Sequence, residues 1–440
     1  MLSLTDLDPD QTAAIDYCFE NDATFLIAGM GAGKSVIALT AAEELLAQHQ
    51  IKRVLVMAPL KVCNKVWSAE HLKWEHLKHL NVGIMTEDNR ESFDDEKIQR
   101  YDICVVNFDA LQWFKDNALF THFDGLIVDE ATKLKAGGAW FKAIRREIPL
   151  FKWRLVMTGT PVSENWVQLF YQQFLVDAGA TFGGNKQKWL DKYFYPTDYK
   201  RYNWAVKPGQ EPRLAALITP YVHTVPDYRD SLPPLHVGTV DTPLPPSARK
   251  AYKEMAGQLK THGVTAQNAA VKVGKLMQIT NGFLYQEDKT VTRLHDAKLD
   301  ALKEILGKTS NHFLIAVNFI EELAQLREAL PDMACLADGD HVIDQWNAGE
   351  MRMLAMHPKS GAHGLNMAAG GHDIIWLSPP WSRDQFDQFN ARLWWRGQTH
   401  AVDVQILVAP DSVDELIMAR LDDKAAFMPA FLAHLAKSTS

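Results

Sequence analysis

Two tandem α/β lobes, each a parallel sheet flanked by helices, are the fold this sequence predicts, and three observations predict it. Short apolar runs recur near residues 25, 54, 103, 126 and 155, and again near 313, 351, 373 and 404, with helix-period stretches between them. A glycine loop ending in Lys-Ser turns the first of those runs into a helix. Prolines (Pro233-Pro234, Pro243 and Pro245-Pro246) separate the two rhythmic halves and read as a hinge.

The first run, Phe25 to Ala28, is apolar throughout and reads as a buried strand. It meets Gly29-Met30-Gly31-Ala32-Gly33 and continues as a helix from Lys34 through Leu46. Glycines let backbone N–H groups turn toward a bound anion, and the helix N-terminus adds the positive end of its dipole. Lys34 then suits the β- and γ-phosphates of a triphosphate, and the Ser35 hydroxyl suits Mg²⁺. Ahead of the loop, a helix entered at Leu7-Asp8-Pro9-Asp10-Gln11 carries Gln11, whose amide can read both edges of adenine.

Residues 53 to 59 form the next buried strand, ended by Pro59, and LKVCNKVWSAEHLKW reads as a helix with Val62, Val66, Ala69 and Leu72 on one face. Strands follow at Ile103 to Phe108 and at Gly125 to Val128. The second of these lands on Asp129-Glu130, so both carboxylates stand at the sheet edge that carries the glycine loop. Asp129 fits a Mg²⁺ shell and Glu130 fits a base that orients or deprotonates water. Trp153 to Met157 is a further strand, followed by Thr158-Gly159-Thr160-Pro161. This alternation is that of a RecA-like lobe, residues 1–232. Its last part, about 162–232, is dense in aromatics (Trp166 to Trp204) and reads as a helical extension with loops and no sheet. Those aromatics fit packing of short helices onto the lobe better than base stacking.

Residues 233–440 repeat the rhythm as a C-terminal RecA-like lobe, opened by helices from Ser247 to Ile279 and from Ala297 to Leu306. It lacks a phosphate loop and is too degenerate to bind nucleotide alone. Two stretches in it carry chemistry. SGAHGLN, Ser360 to Asn366, suits close approach to a phosphate backbone. QFNARLWWRGQ places Gln388, Arg392 and Arg396 four apart, on one face if helical, where arginines can neutralise transition-state charge.

Composition bounds the rest. With 440 residues, 47% hydrophobic and 23% charged, the chain is of ordinary globular type with room for two or three domains. A formal net charge of −8 excludes a generally basic coat, so any nucleic-acid site is a local groove. Four scattered cysteines fit small buried thiols, not disulfides or zinc. His71, His76 and His79 cluster without a ligand pattern and read as a solvated helix face. No apolar run approaches the roughly 20 residues that span a membrane, and no leader-like apolar segment opens the chain, so an intracellular protein is expected.

In order, these stretches resemble the Swi/Snf family of helicase superfamily two, in the compact form found in phages and prophages. Gln11 matches the adenine-reading glutamine, AGMGAGKS motif I, APLKVCNKVWSAE motif Ia with Trp67 and Glu70, and VVNFDAL motif Ib. DEATKLK matches motif II, MTGTP motif III, SGAHGLN motif V and QFNARLWWRGQ motif VI, while KLMQITNGF and HDAKLDALKEIL resemble the segments opening the second lobe. Motif VI departs from the pattern: Arg392 fits, but Trp395 holds the second arginine's place and Arg396 follows it, a slip of roughly 100° on a helix. The basic segment that usually precedes the hinge is weak, with Tyr221-Val222-His223-Thr224-Val225 in its place.

The resemblance implies an ATP·Mg²⁺-dependent double-stranded DNA translocase with the nucleotide between the lobes. Gln11, Gly29, Gly31, Gly33, Lys34, Ser35 and Gln388 would hold it, Ser35 and Asp129 the metal. Glu130 would be the base, and Arg392, alone or with Arg396, the finger. Lys61, Asn107, Lys133, Lys135, His363 and Asn366 would meet the duplex. Expected with these are a monomer in the cytoplasm of a bacterial host, phage or host DNA-processing proteins as partners, and no membrane. A strand-separating DNA or RNA helicase and a nucleotide-switched protein-binding module are the alternatives.

Overall fold

The computed structural model describes residues 1–425 apart from 87, 90–92, 135, 136, 163, 164, 262–265, 340, 361–365 and 381. They divide into two compact units, Met1–Asp227 and Tyr228–Ala425.

The first unit is built on β1 (Ala23–Ile27), β2 (Val54–Ala58), β3 (Val82–Met85), β4 (Ile103–Asn107), β5 (Gly125–Asp129) and β6 (Trp153–Thr158). Every residue of β2, β4 and β5 is buried, as expected of parallel strands covered on both faces. One face packs Phe25, Leu55, Val106 and Val128 under the helices that carry Phe114, Phe141 and Phe170. The other packs Leu26, Val56, Val105 and Leu155 under the helix Lys34–Ala47 and Trp67. A further strand follows an antiparallel ribbon of β7 (Phe194–Pro196) and β8 (Trp204–Val206). This strand, β9 (Val222–Thr224), runs parallel to β1 and completes the order β3-β4-β2-β5-β6-β1-β9. Residues 162–232 are therefore not free of sheet. The segment expected to be weakly basic serves as an edge strand, because Val222 and Thr224 continue the hydrogen-bond ladder beyond Phe25 and Ile27. Its aromatics mostly pack: Trp166, Phe170, Phe174, Phe182, Trp189 and Phe194 are buried in the first core.

Two further expectations fail locally. LKVCNKVWSAEHLKW is broken, with helical turns at Leu60–Val62 and Glu70–Lys73 and a π-helical turn at Cys63–Trp67 between them. The wider turn rotates the inward stripe to Cys63, Trp67, His71 and Trp74, and leaves Leu72 56% exposed. Burying two indoles wins over burying Val66 and Leu72. His71 is consequently buried and the His76 ring bonds Thr40 Oγ1 at 2.9 Å, so of the three histidines only His79 is on a solvated face.

In the second unit β10 (Leu235–Asp241) occupies the stretch read as a hinge: the flanking prolines bound a strand paired along its length with a later one. A small hairpin, β11 (Phe283–Tyr285) and β12 (Val291–Arg293), precedes the main sheet. That sheet adds β13 (Phe313–Ala316), β14 (Ala334–Cys335), β15 (Met353–Met356), β16 (Asp373–Trp376) and β17 (Val402–Val408), in the order β10-β17-β16-β13-β15-β14. It is parallel throughout and has a core on each face.

Candidate functional site

In the first unit the C-terminal ends of parallel neighbours bring Ile27, Ala58, Asn107, Asp129 and Thr158 to one sheet edge. Open parallel sheets place their ligands at that edge. The loop after β1 runs through Gly31 at φ 77° and Gly33 at φ 83°, a left-handed turn that side chains resist, and releases the helix from Lys34. Lys34 Nζ donates to the carbonyls of Ala28 and Gly29, both at 3.0 Å, so the ammonium folds across the loop. Ser35 is half-buried in the first helical turn. Gly159 backs the loop: a Cβ there would stand 3.3 Å from the Ala28 carbonyl oxygen. Thr158 closes the contact, its carbonyl accepting from Ala28 N at 3.1 Å.

Gln11 braces the loop from the other side. Its Oε1 accepts from Asp8 N at 3.0 Å in a capping box, and its Nε2 donates to the Ala32 carbonyl at 3.1 Å. A Cβ on Gly33 would fall 2.2 Å from that Nε2 and displace the Gln11 amide from the loop, while the φ of 83° is what favours glycine there.

Asp129 ends β5 and is buried. Burial pushes its carboxyl above the ordinary range, opposed by the charge of Lys34 and by a hydrogen bond from Trp67. That bond, Trp67 Nε1 to Asp129 Oδ2 at 3.0 Å, is delivered by the π turn and fixes one carboxylate oxygen. Glu130 sits at φ 60°, a strained conformation for a non-glycine residue, and its Oε1 accepts from Thr132 Oγ1 at 2.6 Å. In the sequence Trp67 stands out only as part of motif Ia. Its tie to Asp129 came from a stretch misread as one regular helix.

A triphosphate and Mg²⁺ fit this donor set. The left-handed glycine turn leaves backbone room, the Lys34 ammonium donates to two loop carbonyls, and a desolvated carboxylate stands within its field.

Of the residues expected to meet a duplex, Lys61 and Lys133 are exposed beside the ends of β2 and β5. Asn107 is not available: it is 1% exposed at the end of β4, because the last residue of a central strand is covered on both faces. Lys135 and His363 lie outside the described residues. Asn366 is exposed, with Oδ1 accepting from Ala368 N at 3.0 Å.

In the second unit the helix Arg383–Asn390 ends before Arg392, so Gln388, Arg392 and Arg396 do not share one helical face. At the end of that helix Asn390 Oδ1 accepts from Trp376 Nε1 at 3.0 Å, and the chain continues beyond it in irregular turns. Gln388 donates to Asp384 Oδ1 at 2.9 Å. Arg392 is 2% exposed, with Nη2 3.4 Å from the carbonyls of Pro358 and Ser360, and burial lowers its guanidinium to about 10. Arg396 lies over the Tyr228 ring, 4.6 Å from its centroid. Gln398, not singled out from sequence, ties the end of motif VI to the turn before β16 by donating to the carbonyls of Ala368 and Gly371, and it also donates to the Leu393 carbonyl.

The SNF2-related domain matches residues 16–296. Protein p41 of Acyrthosiphon pisum secondary endosymbiont phage 1 is 30% identical, over 96% of this chain and 97% of that protein. The human SWI/SNF-related matrix-associated actin-dependent regulator of chromatin subfamily A member 1 is 22% identical, over 92% of this chain. The chromatin remodeling factor mit1 of Schizosaccharomyces pombe is 23% identical, over 90% of it. The chain spans 41% of the human protein and 30% of the yeast one. Among solved structures, the Sulfolobus solfataricus SWI2/SNF2 ATPase core in complex with dsDNA has a TM-score of 0.46 at 19% identity, covering 96% of this chain and 92% of that one. With the domain matched over more than half its length and a full-length phage relative, this chain belongs to the SNF2-related family and is an ATPase of helicase superfamily two.

Proposed function

We propose that this ATPase is a motor that translocates along double-stranded DNA. The observation that carries the reading is the convergence of Lys34, Ser35, Asp129 and Glu130 on one sheet edge in a chain of this family. ATP supplies the driving hydrolysis and Mg²⁺ offsets the charge of its phosphates. Lys34 exchanges the Ala28 and Gly29 carbonyls for phosphate oxygens. Ser35 and Asp129 would hold the metal, with Trp67 keeping Asp129 in place. Glu130 leaves the Thr132 hydroxyl to accept a proton from water. Gln11 and Gln388 contact the nucleotide, and Arg392 is the cation of the second unit that acts in turnover once its buried guanidinium leaves the Pro358 and Ser360 carbonyls. Lys61, Lys133 and Asn366 meet the phosphate backbone, so binding is sequence-tolerant and weakens with salt. A monomer in the cytoplasm of a bacterial host, working with phage or host DNA-processing proteins, suits the phage relative. Among the described residues no helix is long and apolar enough to cross a membrane.

The test is one ATPase assay run with duplex DNA, single-stranded DNA and RNA in parallel. Strong stimulation by duplex without strand separation supports the translocase. Stimulation by single strands alone supports a strand-separating helicase instead, and no stimulation by any nucleic acid overturns the motor. Arg392→Ala and Arg396→Ala separate the two arginines: loss of turnover confined to Arg392 supports its role, and equal, mild losses refute it.

A further inference from the structure

The β7–β8 ribbon carries a loop that its own backbone holds in shape. Thr197 N donates to the Asn203 carbonyl at 2.9 Å and Arg201 N to the Asp198 carbonyl at 3.1 Å. The Asp198 carboxylate accepts from Asn203 N at 2.6 Å and Tyr202 N at 3.2 Å, and those bonds hold it below the usual carboxylate range. Trp204 Nε1 closes the base of the loop on the Arg201 carbonyl at 2.9 Å. With the acidic group engaged inward, the four residues between Asp198 and Asn203 (Tyr199, Lys200, Arg201 and Tyr202) are all exposed.

Their exposure is far beyond what packing asks. Tyr199 is 102% exposed, Tyr202 79% and Tyr195 on β7 45%, while Trp189, Tyr193 and Phe194 just before them are buried. The local charge is also the reverse of the chain's. Residues 186–207 hold six cations against two carboxylates in a protein of net charge −8. Lys186 lies over the Tyr171 ring and Lys207 binds the carbonyls of Asp191 and Lys192, which leaves Lys188, Lys192, Lys200 and Arg201 exposed.

Cations beside open aromatic faces match a strand that offers phosphates and unstacked bases. A closed duplex presents phosphates but no base faces, so the tyrosines specify a place where the strands part or end. We propose that Tyr199-Lys200-Arg201-Tyr202 binds unpaired nucleotides flanking a duplex. The inference rests on the motor reading and adds to it a preference for duplexes with a single-stranded flank.

The test uses the full chain and fluorescence anisotropy with three probes: a blunt duplex, the same duplex with a single-stranded flank, and the single strand. Tyr199→Ser/Tyr202→Ser should weaken binding to the flanked duplex about tenfold or more and change the blunt duplex less than about twofold. Lys200→Ser/Arg201→Ser should weaken all three probes and make the salt dependence shallower by about two. ATPase activity without DNA should be unchanged in both variants, which reports intact folding. Equal affinities of parent and tyrosine variant for the flanked duplex, with the parent still stimulated by duplex, overturn the loop site and leave the motor reading standing. The same result would follow if the loop served an acidic protein surface. A parent that binds none of the probes overturns both.

Discussion

The two units share one architecture and use charge in opposite ways. In the first, Lys34, Asp129 and Glu130 stand at the sheet edge, where the Lys34 ammonium donates to two loop carbonyls and Glu130 sits in strained backbone. In the second, the best-paired charges are internal. Lys298 Nζ donates to Asp414 Oδ2 at 2.7 Å and Asn281 Oδ1 at 2.8 Å, and Thr280 Oγ1 donates to the other Asp414 oxygen at 2.9 Å. Asp414 also accepts from Ala409 N at 3.1 Å, so this cluster staples the opening helices to the chain after β17. Under-partnered charge at an edge is available for chemistry. Saturated charge in a core supplies cohesion and specificity of packing.

The sharpest break is at Lys34. Lys34→Ala removes the cation and, among the described residues, two hydrogen bonds to its own loop, so hydrolysis should fall about 10³-fold or more while the melting temperature stays within a few degrees. A similar fall in stability would mean that this lysine is cohesive too, and the contrast would collapse. Lys298→Ala should behave in the opposite way. It leaves Asp414 buried without its cation and should cost about 3–5 kcal/mol. That is roughly a 10 °C drop in the melting of the second unit by calorimetry. ATP binding to the first unit, measured at a temperature where both units are folded, should be unchanged.

Both outcomes concern features that the sequence displayed to different degrees. The glycine loop, Asp129-Glu130 and the central strands were legible because each rests on local pattern: glycines, a Lys-Ser pair, apolar runs bounded by breakers. What escaped depends on partners distant in sequence. β10 and β9 are strands only because β17 and β1 offer them a ladder, and neither carries a strong apolar pattern. The shared face of Gln388, Arg392 and Arg396 failed because the helix ends at Asn390, short of both arginines. Motif Ia failed for a subtler reason. Its periodicity fits two stripes about 100° apart, and the size of Trp67 and Trp74 chooses between them. That choice is what brings an indole N–H to Asp129. Trp67→Phe keeps the ring in the core and removes the donor, so kcat should fall roughly 10-fold and the Mg²⁺ needed for half-maximal activity should rise. Melting within a few degrees of the parent would locate the loss in positioning. A variant with parental kinetics would reduce the bond to packing.

The smallest effect tests whether the second unit's internal charges bear on stability alone. Glu322 caps its helix by accepting from Asn318 N at 2.6 Å and Phe319 N at 3.0 Å, and it also takes the Ser378 hydroxyl at 3.1 Å. Burial nevertheless pushes its carboxyl up to about 7, against those hydrogen bonds and the charge of Lys298. A carboxyl that holds its proton more tightly folded than unfolded stabilises the fold fully below its unfolded range near 4.5. That contribution is lost as pH rises through about 7. Between pH 5 and pH 8 the parent's second unit should therefore lose stability relative to Glu322→Gln, whose amide does not titrate. The difference in melting temperature between the two proteins, followed across that range, isolates this one group from every other titration. A constant difference would place Glu322 among groups ionised in both states. A difference that moves while duplex-stimulated turnover per folded molecule stays level would mark Glu322 as cohesive, in line with Lys298 and unlike Lys34.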